Sequence, residues 1–285
     1  AAGQWRPRSR LPHPVTEFHD LAEIALNSNG EAWGNLGYWK EETEYSAACA
    51  ALARLLGDAV QLDTESVIMD AGFGCGDQLL MWLDHYHIAG LYGVNNSHSQ
   101  TAFARQRLTE TGHGQIADQL HEGDVNDPAH WDFGTGTPSV NRVIALDCAY
   151  HFPDRERFWQ QTARALQPGG RVGVTDLILT DHYHQGGVGS LVLRAMLKAS
   201  RIPSQNMIGE KEYIRSMEQA GLEQIELQDI SSDVLPAFGK WWQTYQRTAR
   251  LPWSGRLKYG ITARFLDWAW RKNLLRYQLV TAVRP

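Results

Sequence analysis

No run of about 18 apolar residues occurs anywhere in the 285-residue sequence, so no segment reads as a membrane-spanning helix. Cysteine is scarce: Cys49, Cys75 and Cys148 are odd in number and show no metal-ligand spacing. That usage argues against a disulfide-stapled secreted fold and predicts a reduced, cytoplasmic protein. No internal repeat or low-complexity stretch interrupts the chain. The opening AAGQWRPRSRLPHP is polar and basic and lacks the apolar core of a secretory leader, so residues 1–14 read as a loose arm. Acids nearly vanish from one long stretch. Between Lys240 and Arg276, nine Lys or Arg meet a single acid, Asp267. With the whole chain at −5, that +8 segment leaves −13 on the remainder.

Apolar residues make up 43% of the sequence, enough for one elaborated α/β domain over residues 15–285. From residue 66 onward, short β-branched runs alternate with amphipathic stretches, the rhythm of a parallel sheet with helices on both faces. Strands are predicted at 66–71, 91–95, 119–122, 142–147, 171–176, 224–229 and 276–283. Helices are predicted at 100–109, 155–166 and 210–220, with Leu166-Gln-Pro-Gly-Gly170 turning the second of these into the next strand. Three stretches stand outside the alternation, at 15–60, 180–209 and 231–273. They are expected to form a helical cap over the carboxyl edge of the sheet, where open α/β sheets bind ligands.

The strongest motif is VIMDAGFGCGDQ at 67–78. An apolar strand runs into Asp70 and then Gly72, Gly74 and Gly76, where missing side chains let a ligand approach the backbone. The spacing is G-x-G-x-G, unlike the G-x-G-x-x-G of dinucleotide binders, and the acid ahead of it suits a ligand bearing an ammonium. GVNNSHSQ at 93–100 places a polar residue at the end of the second strand, suited to ribose hydroxyls. Asp124, in EGDVND, is placed to accept from an adenine amine. RVIALDCAYHFPD then adds a fourth strand with a polar exit.

These blocks, in this order, resemble the class I S-adenosylmethionine-dependent methyltransferase superfamily over roughly residues 60–283. NLGYW, G-V-N-x-S-x-x-Q and LDCAYHFPD are similar to its small-molecule branch. That branch includes sterol and tocopherol C-methyltransferases, cyclopropane-fatty-acid synthases and antibiotic sugar O-methyltransferases. The resemblance implies a seven-stranded Rossmann-like sheet with its last strand antiparallel, and S-adenosylmethionine as cofactor. By position, Asp70, Gly72, Gly74 and Gly76 would cradle the methionine and ribose part. Asn95 stands where many relatives have an acid on the ribose diol, and Gln100 matches the cofactor-facing Gln of S-x-x-Q. Asp124 and Val125 match the adenine-binding pair, Asp147 lies beside the methionine portion, and Trp33 and Tyr38 belong to the segment that closes over the cofactor.

Methyl transfer from a sulfonium needs alignment and desolvation, with a base only where the acceptor must lose a proton. His151 is the first candidate base because a histidine titrates near neutrality. Tyr150 and Asp176 are the second choices. The sugar O-methyltransferases resembled here carry a histidine pair at Tyr150-His151 and an aspartate at the position of Asp176. No metal is expected: Asp181, His182 and His184 read as a solvated loop, and Asp84, His85 and His87 as a helix end.

Five of the eleven tryptophans fall in the basic tail: Trp241, Trp242, Trp253, Trp268 and Trp270. Leu257, Ile261, Phe265 and Trp268 recur at helical spacing, as do Leu235, Phe238, Trp242 and Tyr245, which predicts packed cap helices. Functionally, that tail could surround an apolar or aromatic acceptor, pair an anionic one, or dock on an anionic membrane. Nucleic acid is disfavoured by the overall acidity and by the lack of an Asn-Pro-Pro-Tyr-like signature. The expected function is methyl transfer to carbon, oxygen or nitrogen of a small hydrophobic metabolite (isoprenoid, polyketide or lipid-like). Its rivals are a binding module that keeps the fold without the chemistry, and a nicotinamide-dependent oxidoreductase, which the glycine spacing opposes.

Overall fold

The structure is a computed structural model that describes residues 21–28, 30–132, 140–248 and 251–285. The arm at 1–14 and the start of the 15–60 cap element lie outside the described residues. The strands are β1 Val67–Ala71, β2 Gly90–Asn95, β3 Leu120–Glu122, β4 Val140–Ala145, β5 Leu166–Leu179, β6 Glu223–Asp229 and β7 Leu275–Val283. They form one sheet in the order β3-β2-β1-β4-β5-β7-β6. β1 to β5 pair in parallel, and β7 runs antiparallel to both β5 and β6. The seven-stranded Rossmann-like sheet expected from the resemblance is therefore present.

Period-two alternation in the strands distributes apolar side chains to both faces of the sheet. Ile68 and Ile144 join one core with the helices α1 (Tyr45–Ala59), α2 (Asp77–Asp84) and α3 (His98–Glu110). The short α4 (Gly114–Ala117) leads from α3 to β3. Met69, Val143 and Ala145 join the opposite core with α5 (Arg155–Ala165) and, further along, α8 (Glu210–Gln219). Between these come α6 (Asp181–His184) and α7 (Val188–Ala199), and after β6 come α9 (Ser231–Tyr245) and α10 (Trp253–Arg271). The strand order reverses direction between β1 and β4, which opens a crevice at the carboxyl ends of those strands.

Two expectations are corrected here. The turn read at 166–170 is instead a bulge inside β5: α5 stops at Ala165, and buried Leu166 already pairs with Val140. Pairing then resumes at Arg171 with Arg142, after Gly169 turns with φ +77°. The second concerns the tryptophans of 231–273, some of which were read as surrounding an acceptor; none of them lines the cavity at the carboxyl ends of the strands. Trp241 stacks on Tyr45 at 5.1 Å and Tyr245 at 4.6 Å, and Trp242 lies 5.6 Å from Tyr259. Trp39 donates its backbone N–H to Asp233 O at 2.8 Å. These rings fasten α9 to α10, to α1 and to the N-terminal segment, burying large apolar area in ring–ring contacts.

Candidate cofactor and acceptor site

A cavity of about 270 Å³ opens where β1, β2 and β4 end. Its floor is the loop from Gly72 to Gly76. All three of its glycines are left-handed, with φ of +89°, +55° and +93°. Their reasons differ. A Cβ on Gly72 would lie 2.6 Å from Cys148 Sγ, and one on Gly76 would lie 3.0 Å from Ala104 Cβ. A Cβ on Gly74 would meet nothing within 4 Å, because Gly74 faces the cavity. Gly72 and Gly76 are needed for packing, and Gly74 leaves the backbone approachable by a ligand.

Asp70 is fully buried behind this loop and does not line the cavity. It accepts from Gln78 Nε2 at 2.9 Å and Trp82 Nε1 at 2.7 Å, which ties β1 to the first turns of α2. Burial raises its carboxyl to about 6, while the bonds from Gln78 and Trp82 pull the other way. Asp77 takes the position at the cavity wall. Its Oδ2 accepts the Ala32 N–H at 2.8 Å and pairs with Arg107.

The next walls come from the ends of β2 and β3. Asn95 and Gln100 are both buried and both line the cavity, with Asn95 Nδ2 3.3 Å from Gln100 Oε1. Gln100 is placed there by α3, whose cap Ser97 accepts the Gln100 N–H. Asp124 is exposed at the rim, and its Oδ1 accepts the Asn126 N–H at 2.9 Å. Val125 is buried beside it, its carbonyl held by Trp131 Nε1. Both residues line the cavity.

Asp147 follows β4 with a left-handed φ of +55°. Its carboxylate gathers three donors: the Leu36 N–H at 2.7 Å, the Tyr150 hydroxyl at 2.8 Å and the Tyr277 hydroxyl at 2.6 Å. Burial, and then the Asp147 charge, hold the Tyr150 and Tyr277 phenols well above their usual value, so both stay protonated donors. Tyr150 lines the cavity but is unsuited to take a proton. His151 follows on the same short 3-10 turn, its ring 4.5 Å from that of Tyr150, and is the one imidazole among the described residues lining the cavity. Trp33, Phe73, Leu146 and Phe152 add apolar wall.

Besides Asp70, two predicted residues lie away from the cavity. Tyr38 is tied through its N–H to Ala48 O, next to the lining residues Gly34 and Asn35. Asp176 is wholly buried, bonded to Arg155 at 2.8 Å and the Tyr213 hydroxyl at 2.9 Å, with burial raising its carboxyl despite the arginine. It faces no open space and has no route to a substrate proton. Sequence reading missed Asp77 and Tyr277. Asp77 directly follows the last glycine and could have been found. Tyr277 reaches Asp147 from 130 residues away, and no local pattern announces it.

The fold, the glycine floor and the polar residues at three successive strand ends together define a nucleoside-binding α/β enzyme. The methyltransferase domain family matches residues 69–174. The chain is 28% identical to erythromycin 3''-O-methyltransferase of Saccharopolyspora erythraea, over 83% of this chain and 76% of that one. It is 24% identical to 27-O-demethylrifamycin SV methyltransferase of Amycolatopsis mediterranei, over 96% and 98% of the two chains. Its fold matches geranyl diphosphate C-methyltransferase from Streptomyces coelicolor A3(2), solved with S-adenosyl-L-homocysteine. That match has a TM-score of 0.70 at 19% identity, covering 96% of this chain and 100% of that one. The protein is similar to the class I S-adenosylmethionine-dependent methyltransferases, and its activity is methyl transfer to a small molecule. S-adenosylmethionine is its cofactor.

Proposed function

We propose that the protein methylates a hydroxyl group of a largely apolar, polyketide-like metabolite, with His151 as the general base. The observation that carries this reading is the imidazole of His151 on the wall of the cofactor cavity, its ring 4.5 Å from that of Tyr150. Two relatives named for O-methylation of erythromycin and rifamycin support it.

The cavity fits the cofactor in its own terms. Gly74 leaves room at the floor, the Asn95 and Gln100 amides present donors and acceptors for a ribose diol, and Asp124 offers an acceptor at the rim. In this reading Gly72, Gly74 and Gly76 hold the methionine part, and Asp124 with Val125 holds the adenine. When bound, S-adenosylmethionine supplies an electrophilic methyl on a sulfonium whose leaving group is a neutral thioether. Asp147 acts at one remove. By holding Leu36, Tyr150 and Tyr277 it closes residues 31–39 over the cavity and sets the ring beside His151. Trp33, Phe73 and Phe152 exclude water and seat the acceptor's apolar body. His151 then takes the hydroxyl proton as the oxygen meets the methyl in line.

His151→Ala is expected to lower turnover by about 10²–10⁴ with cofactor affinity unchanged. The parent rate should rise with pH as the imidazole loses its proton. Single-turnover rates on a panel of macrolide and ansamycin alcohols, beside amine and alkene acceptors, check this. A rate on hydroxyl acceptors that ignores both the substitution and pH would overturn the base assignment.

A further inference from the structure

The outer face of α10 carries Trp253, Leu257 and Ile261 one turn apart, 76%, 49% and 45% exposed. Trp268 continues on the same face of the helix. With Leu274 it lines a groove of about 550 Å³ shared with Val188 and Val192 of α7. Those two valines are themselves 78% and 44% exposed. Single exposed apolar residues are ordinary, but a strip along one helix that runs on into a groove needs a partner. The strip is also basic. Arg264 lies on it between Ile261 and Trp268, Lys272 lines the groove, and the one acid of α10, Asp267, is paired with Arg271.

The position of the strip adds to this. α10 leads into Leu275, which pairs with Leu179 at the carboxyl end of β5, and α6 and α7 follow that same end. The C-terminal end of the strip, at Trp268 and Lys272, therefore lies at the carboxyl edge of the sheet, the edge on which the cofactor cavity opens. Two other occupants fit less well. A second copy would set one basic strip against another. Residues 1–20 bring Arg6, Arg8 and Arg10 against Glu17 and Asp20, and so offer no compensating negative charge.

We propose that this face docks the protein on an anionic lipid surface. Trp253, Leu257 and Ile261 enter the interface between headgroups and acyl chains, and Arg264 and Lys272 meet the lipid phosphates. Among the described residues no helix is long and apolar enough to cross a membrane, so the contact is peripheral. It holds whatever acceptor the cavity takes.

The test is sedimentation of the full chain with vesicles of pure phosphatidylcholine and of a two-to-one mixture of phosphatidylcholine and phosphatidylglycerol. Tryptophan emission is followed in parallel. Binding to the mixed vesicles alone is expected, with a blue shift. It should fade with salt, as the screening length falls from about 10 Å at 0.1 M to about 3 Å at 1 M. Arg264→Gln with Lys272→Gln should weaken binding roughly 25-fold, about fivefold for each charge. Trp253→Ser with Ile261→Ser should weaken it more than about tenfold, and melting temperatures close to the parent's would show both pairs still folded. Equal binding to both vesicle types, no binding to either, or parent-like binding by both double variants would overturn the proposal. So would a dimer lost on Trp253→Ser with Ile261→Ser in a protein that ignores vesicles, since a second copy would then cover the strip.

Discussion

At Gly74 the backbone is left-handed, and open cavity lies where a side chain would start. Gly74→Val is expected to cost about 1–3 kcal/mol of backbone strain, which a fold of roughly 5–15 kcal/mol survives. Its isopropyl group would occupy the ligand's space, so calorimetry should show S-adenosylhomocysteine binding lost while unfolding stays cooperative. Undiminished affinity would remove this loop from the site. Asp124→Ala should weaken the same ligand by about ten- to a hundredfold, the effect of losing a charge-assisted hydrogen bond of about 1.5–3 kcal/mol. Asp70 behaves differently, since its carboxyl is raised to about 6 by burial. A carboxyl that binds its proton more tightly folded than unfolded contributes stability that is fully present below about pH 4. That contribution is lost as pH climbs through 6. Melting curves from pH 4 to 7 should therefore fall for the parent and fall less in Asp70→Asn, a difference on the order of 2 kcal/mol. Identical slopes would show that Asp70 is not the titrating group.

Residues 31–39 are held over the cavity by two carboxylates on different elements. Asp77, at the start of α2, accepts the Ala32 N–H, and Asp147, after β4, accepts the Leu36 N–H. Both amides should exchange slowly with solvent. Asp147→Ala leaves the Leu36 N–H and two tyrosine hydroxyls without their acceptor, so exchange at Leu36 should quicken and cofactor affinity should fall together. Unchanged protection at Leu36 would mean that packing of Trp33 and Trp39 alone holds the segment. At this scale the strands and helices were largely legible, because alternation and amphipathic spacing are local properties. β5 was read less well. The Pro-Gly-Gly run signals a turn in any sequence, and only the pairing of Leu166 with Val140 makes it a bulge. α9 and α10 were legible as helices, but which way their tryptophans face depends on Trp39 and Tyr45, some 200 residues away in sequence.

Across the whole molecule, Asp176 joins elements that the sequence keeps apart. Arg155 of α5 bonds Asp176 of β5 at 2.8 Å and Asn206 O at 2.9 Å, while the Tyr213 hydroxyl of α8 closes the cluster. Asp176→Ala leaves a guanidinium buried without its partner and should cost about 3–5 kcal/mol. Methyl transfer by the fraction that stays folded should keep its KM and pH profile. An altered pH profile with parent-like stability would return Asp176 to the chemistry. The sequence by itself determined the parallel sheet, the glycine floor and the polar positions at the ends of β2, β3 and β4. Those features are written in contiguous residues whose spacing is set by strand and turn geometry. Only the tertiary structure decided that Asp70 braces α2 from behind, that Asp176 is an internal ion pair, and that Asp147 is gripped by Tyr277. Each outcome depends on which distant groups reach one buried carboxylate, because a charge removed from water takes its role from whatever donors the fold brings to it.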